Sequence, residues 1–173
     1  NKLAAGEDFN LTANPGVTVG YTGTPAVTTA LVKGHNAAVA GVLNGSFSAA
    51  SGGNATGIFQ YQDVGTITFS ADAVTDASYT TVDQASGGCV AASTSNTASS
   101  GKYGCTVGSA ALGPLGRFYP HHFAVNANFV PACAGGFTYM DHDALATVLD
   151  VTAQSKSDAT TTRYVTPASA SVP

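Results

Sequence analysis

The chain has 173 residues, 17.2 kDa, a formal net charge of −4, a pI near 5.3 and only 9% charged residues. That length suits one ordinary domain, or a small domain with part of another, and excludes a large multidomain enzyme. Six Lys and Arg residues scattered along the chain offer no cationic cluster for phosphates, which excludes nucleic acid as a partner, and no run of 18 apolar residues exists to form a membrane-spanning helix.

From the N-terminus the dominant hydrophobic period is two. FNLTA (9–13), VTVGY (17–21), VTTALV (27–32), AVAGVL (38–43), GIFQYQ (57–62), TITFSA (66–71) and YTTV (79–82) each read as a strand. NPG (14–16), TGTP (22–25), NGS (44–46), SGGN (51–54) and DVG (63–65) supply the turns, the last with Gly65 in the left-handed position. In TITFSA, Ile67 and Phe69 share a dry face while Thr66, Thr68 and Ser70 look to water. Ala, Ser, Thr and Gly supply 87 of the 173 residues, anchored by 8 Phe and 7 Tyr with no Trp, a composition for pleated sheets rather than helices. Short strands at this spacing predict an all-β fold, an immunoglobulin-like antiparallel β-sandwich with additional C-terminal strands.

Residues 83–115 break the pattern with a long Gly/Ser-rich loop whose one strand candidate is 103–107. Cys89 and Cys105 bracket a segment with too little apolar surface to order itself. A disulfide between them would staple that loop, worth roughly 3 kcal/mol in the chain-entropy model, and the alternative is two buried or free thiols. Cys133 is left over. Alternation returns in RFYPHHFAVNANF (117–129), where Pro120 marks a bulge or edge, and continues through FTYM (137–140), LATVLDVTAQ (145–154) and TTTRYV (160–165). The expected division is residues 1–115 as the sandwich and 116–173 as strands that either complete it or start a second β domain. The start at Asn1 and the cysteine usage fit an exported, processed or excerpted chain.

Candidate site residues are few. His121, Asp141 and Asp143 form the one local set of ligand-type side chains able to hold a divalent metal, whereas a turn with both aspartates capping backbone amides is the plainer reading. Strand geometry sends His121 and His122 to opposite faces unless Pro120 distorts the backbone. Phe118, Phe123, Phe137 and Tyr139 read as core. Arg117 reads as pairing with a carboxylate or capping carbonyls at a strand start. There is no G-x-S-x-G, no H-E-x-x-H, no P-loop and no dinucleotide fingerprint, and Glu7 is the only glutamate, so neither an enzymatic activity nor a cofactor is expected.

GRFYPHHF (116–123), Cys133 with GGFTYM (135–140), LDVTAQ (149–154) and TTTRY (160–164), in that order, resemble the signature of the uncharacterised domain family of MshQ-like surface proteins from the MSHA-type pilus operon. FQYQDVGTITFSA (59–71) followed by Tyr79 is similar to the same family's strand pair, and the resemblance spans roughly residues 15–165. It departs at His121, where the family carries an acidic residue, and at Asp141–Asp143, where the family carries Gly-Gln-Pro. The resemblance implies a bacterial cell-surface or pilus-associated, sheet-rich protein without established chemistry, hence secreted and extracellular or at the cell surface. The expected function is a structural or adhesive module whose partners are other copies of itself or other pilus and surface proteins, as low charge and an unfinished last domain suggest. Strand complementation into a filament is the stronger form, with FNLTA (9–13) or VTPASASV (165–172) as donor. The alternative is a ligand-binding module for a surface glycan, stacked on Tyr21, Tyr79, Tyr103 or Tyr164, or for a divalent metal.

Overall fold

The computed structural model describes residues 2–14, 16, 19–34, 39–140 and 146–164. Phe9 and Leu11 alternate with exposed Asp8, Asn10 and Thr12 along β2 (Asp8–Ala13), which pairs antiparallel with β6 (Ala55–Tyr61), Phe9 opposite Phe59. On the other side of β6 runs β5 (Leu43–Phe47), giving the sheet β2–β6–β5. A four-stranded sheet has the order β1 (Leu3–Ala4), β12 (Leu112–Tyr119), β7 (Gly65–Phe69) and β4 (Val32–Gly34), with β1 parallel to β12 and the other pairs antiparallel. Three short strands, β11 (Val107–Gly108), β8 (Val74–Asp76) and β3 (Ala26–Val27), make another antiparallel sheet.

Two clusters fill the space between these sheets. One holds Val32, Tyr61, Ile67, Phe69, Ala73 and Phe118, the other Tyr21, Phe47, Ala50, Ala55 and Phe59. Phe9, Leu11, Val27, Leu43 and Val74 touch both, so the clusters form one continuous dry layer. Ring pairs tie it together, with centroids 5.0 Å apart for Tyr61 and Phe118, 5.5 Å for Phe9 and Phe118, and 5.0 Å for Phe47 and Phe59. The chain is thus an all-β sandwich-type protein, as the period-two pattern predicts.

Several expected elements differ. YTTV reads as a strand in the sequence, but α1 (Thr80–Ala85) is helical. Its β-branched residues are overruled by two glycines just past its C-terminal end: Gly87, at φ +64°, donates to the Gln84 carbonyl and Gly88 to that of Asp83, which closes a glycine C-cap. NGS (44–46) is no turn but the middle of β5. Gly45, at φ +126°, sits opposite Phe59, where a Cβ would collide with the Ile58 carbonyl, so the glycine is there to let strand and ring approach. Correspondingly, the residues before it, Val39 to Val42, form one bridge to Lys33 and no strand. VTTALV divides into β3, a 3-10 turn (Thr29–Leu31) and β4. FTYM contributes one bridge, from Phe137 to Cys133, and TTTRYV one at Thr160, to Gln154; Val165 is outside the described residues. In the loop, Cys89 and Cys105 are disulfide-bonded with Cα atoms 5.1 Å apart, beside the parallel pair β9 (Cys89–Val90) and β10 (Tyr103–Gly104). Cys133 is a free, half-buried thiol.

The expected division after residue 115 falls inside β12, whose Phe118 belongs to the main core. Chain-distant segments are tied together around it. Ala5 donates to the Tyr119 carbonyl, Gly6 to that of Tyr61 and Lys156 to that of Ala5, at 2.7–2.9 Å. Asp63, only 3% exposed, is the hub. Its carboxylate accepts the amides of Val64 (2.8 Å) and Arg163 (3.2 Å) and the Thr162 hydroxyl (2.6 Å), and faces the Arg163 guanidinium at 3.6 Å. Replacing Asp63 by Ala leaves these donors without an acceptor. Chemical denaturation of Asp63→Ala is expected to show a loss of about 3 kcal/mol, with amides of 155–163 losing exchange protection first; unchanged protection there would contradict the anchoring role.

Candidate functional site

Beyond β12 the chain leaves the sandwich. Pro120 ends β12, His121 donates its amide to the Gln154 carbonyl, and β13 (His122–Val130) then pairs over nine residues with β14 (Ala146–Gln154) in a two-stranded antiparallel ribbon. Phe123, Val125, Ala127 and Phe129 share a face with their cross-strand partners Ala153, Val151, Leu149 and Thr147. The opposite face is mixed, with Asn126, Asn128, Asp150 and Thr152 beside Ala124, Val130 and Val148. The apolar face is open to water, with Phe129 66%, Val125 60% and Leu149 58% exposed.

A second feature is a cleft of about 460 Å³ in the flank of the sandwich. Leu11, Thr12 and Ala13 of β2 form one wall; Val107, Gly108 and Leu112 form the other. Phe47, Phe69 and Val74 also line it, and Tyr21, Asp76, Asn14, Thr75 and Ser109 are among its polar groups. Asp76 is 4% exposed. Its Oδ2 accepts the Tyr21 hydroxyl at 2.6 Å; its Oδ1 accepts the Ser78 amide at 2.8 Å and the Ser78 hydroxyl. Burial works against ionisation of Asp76, but the donors from Ser78 and Tyr21 outweigh it and hold the carboxyl below its ordinary value. Burial, then the carboxylate beside it, pushes the Tyr21 phenol up. Asp76-Ala77-Ser78 is a legible Asx turn that the period-two reading passes over; the 55-residue reach to Tyr21 has no local signal.

The sequence candidates are dispersed. Phe118 is core, as expected. Phe123, at 49% exposed, Phe137 and Tyr139 are not: the alternation in the ribbon marks a face correctly, but the described residues cover it at its base alone, where Tyr164 stacks on Phe123 with centroids 5.6 Å apart and Ala153 is buried. Phe137 and Tyr139 lie in the loop after β13 and stack edge-on at 5.2 Å. Arg117 is exposed in mid-strand rather than at a strand start, and makes no ion pair among the described residues; the buried pair belongs to Arg163.

Of the metal set, Asp141 and Asp143 lie outside the described residues. His121 faces Glu7 at 3.5 Å, and Glu7 also holds Lys156 at 3.2 Å. His122 meets Gln154 at 3.0 Å and Asp158 at 3.1 Å. Regular strand geometry would send the two histidines to opposite faces, yet their Nδ1 atoms are 3.1 Å apart, because Pro120 and His121 form a break rather than a strand. Among the described residues no group of three His, Cys, Asp or Glu side chains could hold a metal ion. Of the tyrosines considered for glycan stacking, Tyr21 is buried and Tyr79 half-buried, whereas Tyr103 and Tyr164 are exposed. No helix among the described residues is long and apolar enough to cross a membrane.

Fold and site together define a sheet-built module with an open flank and a projecting ribbon. Residues 63–172 match the family described as DUF6701, third domain, and the chain belongs to that family. No curated protein and no solved structure matches it.

The Tyr21–Asp76 pair sets a pH window. The depressed carboxyl contributes stability above about pH 4 that is lost as pH falls through its folded value, and the raised phenol contributes stability below about pH 10 that is lost at higher pH. Tyr21→Phe is expected to lower stability at pH 7 by about 1–3 kcal/mol and to flatten both limbs of the stability–pH curve measured by denaturant titration. An unaltered curve would contradict the pairing.

Proposed function

We propose that this protein is a structural and adhesive β-module of a bacterial cell surface or pilus, and that it assembles with further copies by strand addition. The observation that carries this reading is the cleft beside β2. Ser48 donates to the Thr56 carbonyl, so along β6 the even-numbered residues bond to β5 and the odd-numbered ones, Gly57 and Phe59, to β2. By the same alternation Phe9 and Leu11 bond inward, whereas the amides of Asn10 and Thr12 face away from β6. A six-residue strand edge with outward amides, next to an apolar slot, is what an incoming extended segment needs: backbone hydrogen bonds for affinity and a hollow for alternate side chains. FNLTA itself is spent within its own sheet as β2, which removes it as the donor; VTPASASV lies outside the described residues.

Three further features support the reading. The Cys89–Cys105 disulfide is compatible with an oxidising, extracellular location. The low charge places little electrostatic repulsion between copies. The resemblance to MshQ-like pilus-operon proteins falls largely within the stretch that defines the family.

Electron microscopy and light scattering of concentrated protein test this. Wild type is expected to form oligomers or fibres. Asn10→Pro, which removes an outward amide and is tolerated on an edge strand, is expected to abolish growth while leaving the thermal melt within a few degrees. Uniformly monomeric or dimeric wild-type particles at every concentration would overturn strand addition.

A further inference from the structure

The ribbon carries an inference independent of the β2 edge. A two-stranded ribbon alone is marginal in water, and this one exposes Phe129, Val125, Val151 and Leu149 on a single face. We propose that this face is the contact of a closed, two-fold symmetric dimer in which the ribbons of two copies pack face to face.

Three observations select a second copy as the occupant. The first is shape. A two-fold axis running along the strands places β13 of one copy over β14 of the other, residue over cross-strand partner. Phe129 then covers Thr147, Leu149 covers Ala127, and Val125 meets Val151, so large side chains fall on small ones and equal on equal. The second is charge. No residue of this face is ionisable, while Asp150 and His122 point to the other face, so nothing repels an identical surface and nothing selects a charged partner. The third is area. Phe129, Val125, Leu149, Val151 and Phe123 are 66%, 60%, 58%, 57% and 49% exposed on one copy, and face-to-face pairing covers this whole run of large apolar side chains on both copies at once. The contact closes at two copies, unlike strand addition at β2, which propagates.

Sedimentation equilibrium from about 1 µM to 1 mM tests this on the wild type and on Asn10→Pro, so that loss of strand addition and loss of the dimer are read separately. Asn10→Pro is expected to remain dimeric. Leu149→Lys, which would bury an unpaired charge at the centre, is expected to weaken the dimer at least 100-fold, and Ala127→Phe, which fills the hollow, about 10-fold or more. Asn128→Asp on the opposite face is expected to change it less than twofold. Circular dichroism verifies that each variant is folded. On mixed isotope-labelled Asn10→Pro protein, in which strand addition is blocked, intermolecular NMR cross-peaks between Leu149 and Ala127 methyl groups provide a readout without altering the face. Monomers throughout the concentration range, or a dimer lacking those cross-peaks, would overturn the proposal.

Discussion

A single buried carboxylate organises this molecule. Asp63 sits in the turn between β6 and β7 and gathers two amides, a hydroxyl and a guanidinium, of which all but one come from residues about 100 positions later. Burying a carboxylate is costly unless its lone pairs are filled, so the site is a strong constraint: the C-terminal segment must return to the turn, or the charge is stranded. Through Ser157 to Gln62 and Lys156 to Ala5 the same segment is stitched to the end of β6 and to the N-terminal segment. The base of the β13–β14 ribbon is thereby clamped to the sandwich, and the ribbon is free to project.

That arrangement divides the work between two kinds of surface. The sandwich body is stabilised by aromatic packing and by polar nodes built on two buried carboxylates, Asp63 with Thr162 and Arg163, and Asp76 with Tyr21 and Ser78. Among the described residues, what it leaves open is the outer edge of β2 and the apolar side chains along the ribbon. Backbone edges bind extended chains in a directional, propagating manner, and uncharged apolar faces bind copies of themselves in a closed one. On the proposed reading, the two devices together would build length and cross-link it.

Much of this architecture is legible in local pattern. The period of two, the turn at Ser51–Asn54, the strands β2, β6 and β7, and the Cys89–Cys105 staple all come from residue alternation and spacing. The departures have local causes too. Thr80–Val82 has strand propensity, yet a helix forms because Gly87 and Gly88 cap it. Asn44–Ser46 has turn chemistry, but Gly45 faces the Phe59 ring across a strand pair. Propensity is a weak preference, and a capped end or a close backbone approach outweighs it.

Alternation along 122–130 and 146–154 determined from the sequence alone that one face of each segment is apolar, because side chains in an extended backbone must point to opposite sides. Whether that face is covered is a different matter, settled by where other elements lie, and only the tertiary structure showed Phe123 and Phe129 open while Phe118, a few residues away, is enclosed. The same holds for Asp63 and Asp76. Their identity as acidic residues is written in the chain, but their pairing with Arg163 and Tyr21 depends on contacts between positions 100 and 55 residues apart, which no local pattern encodes.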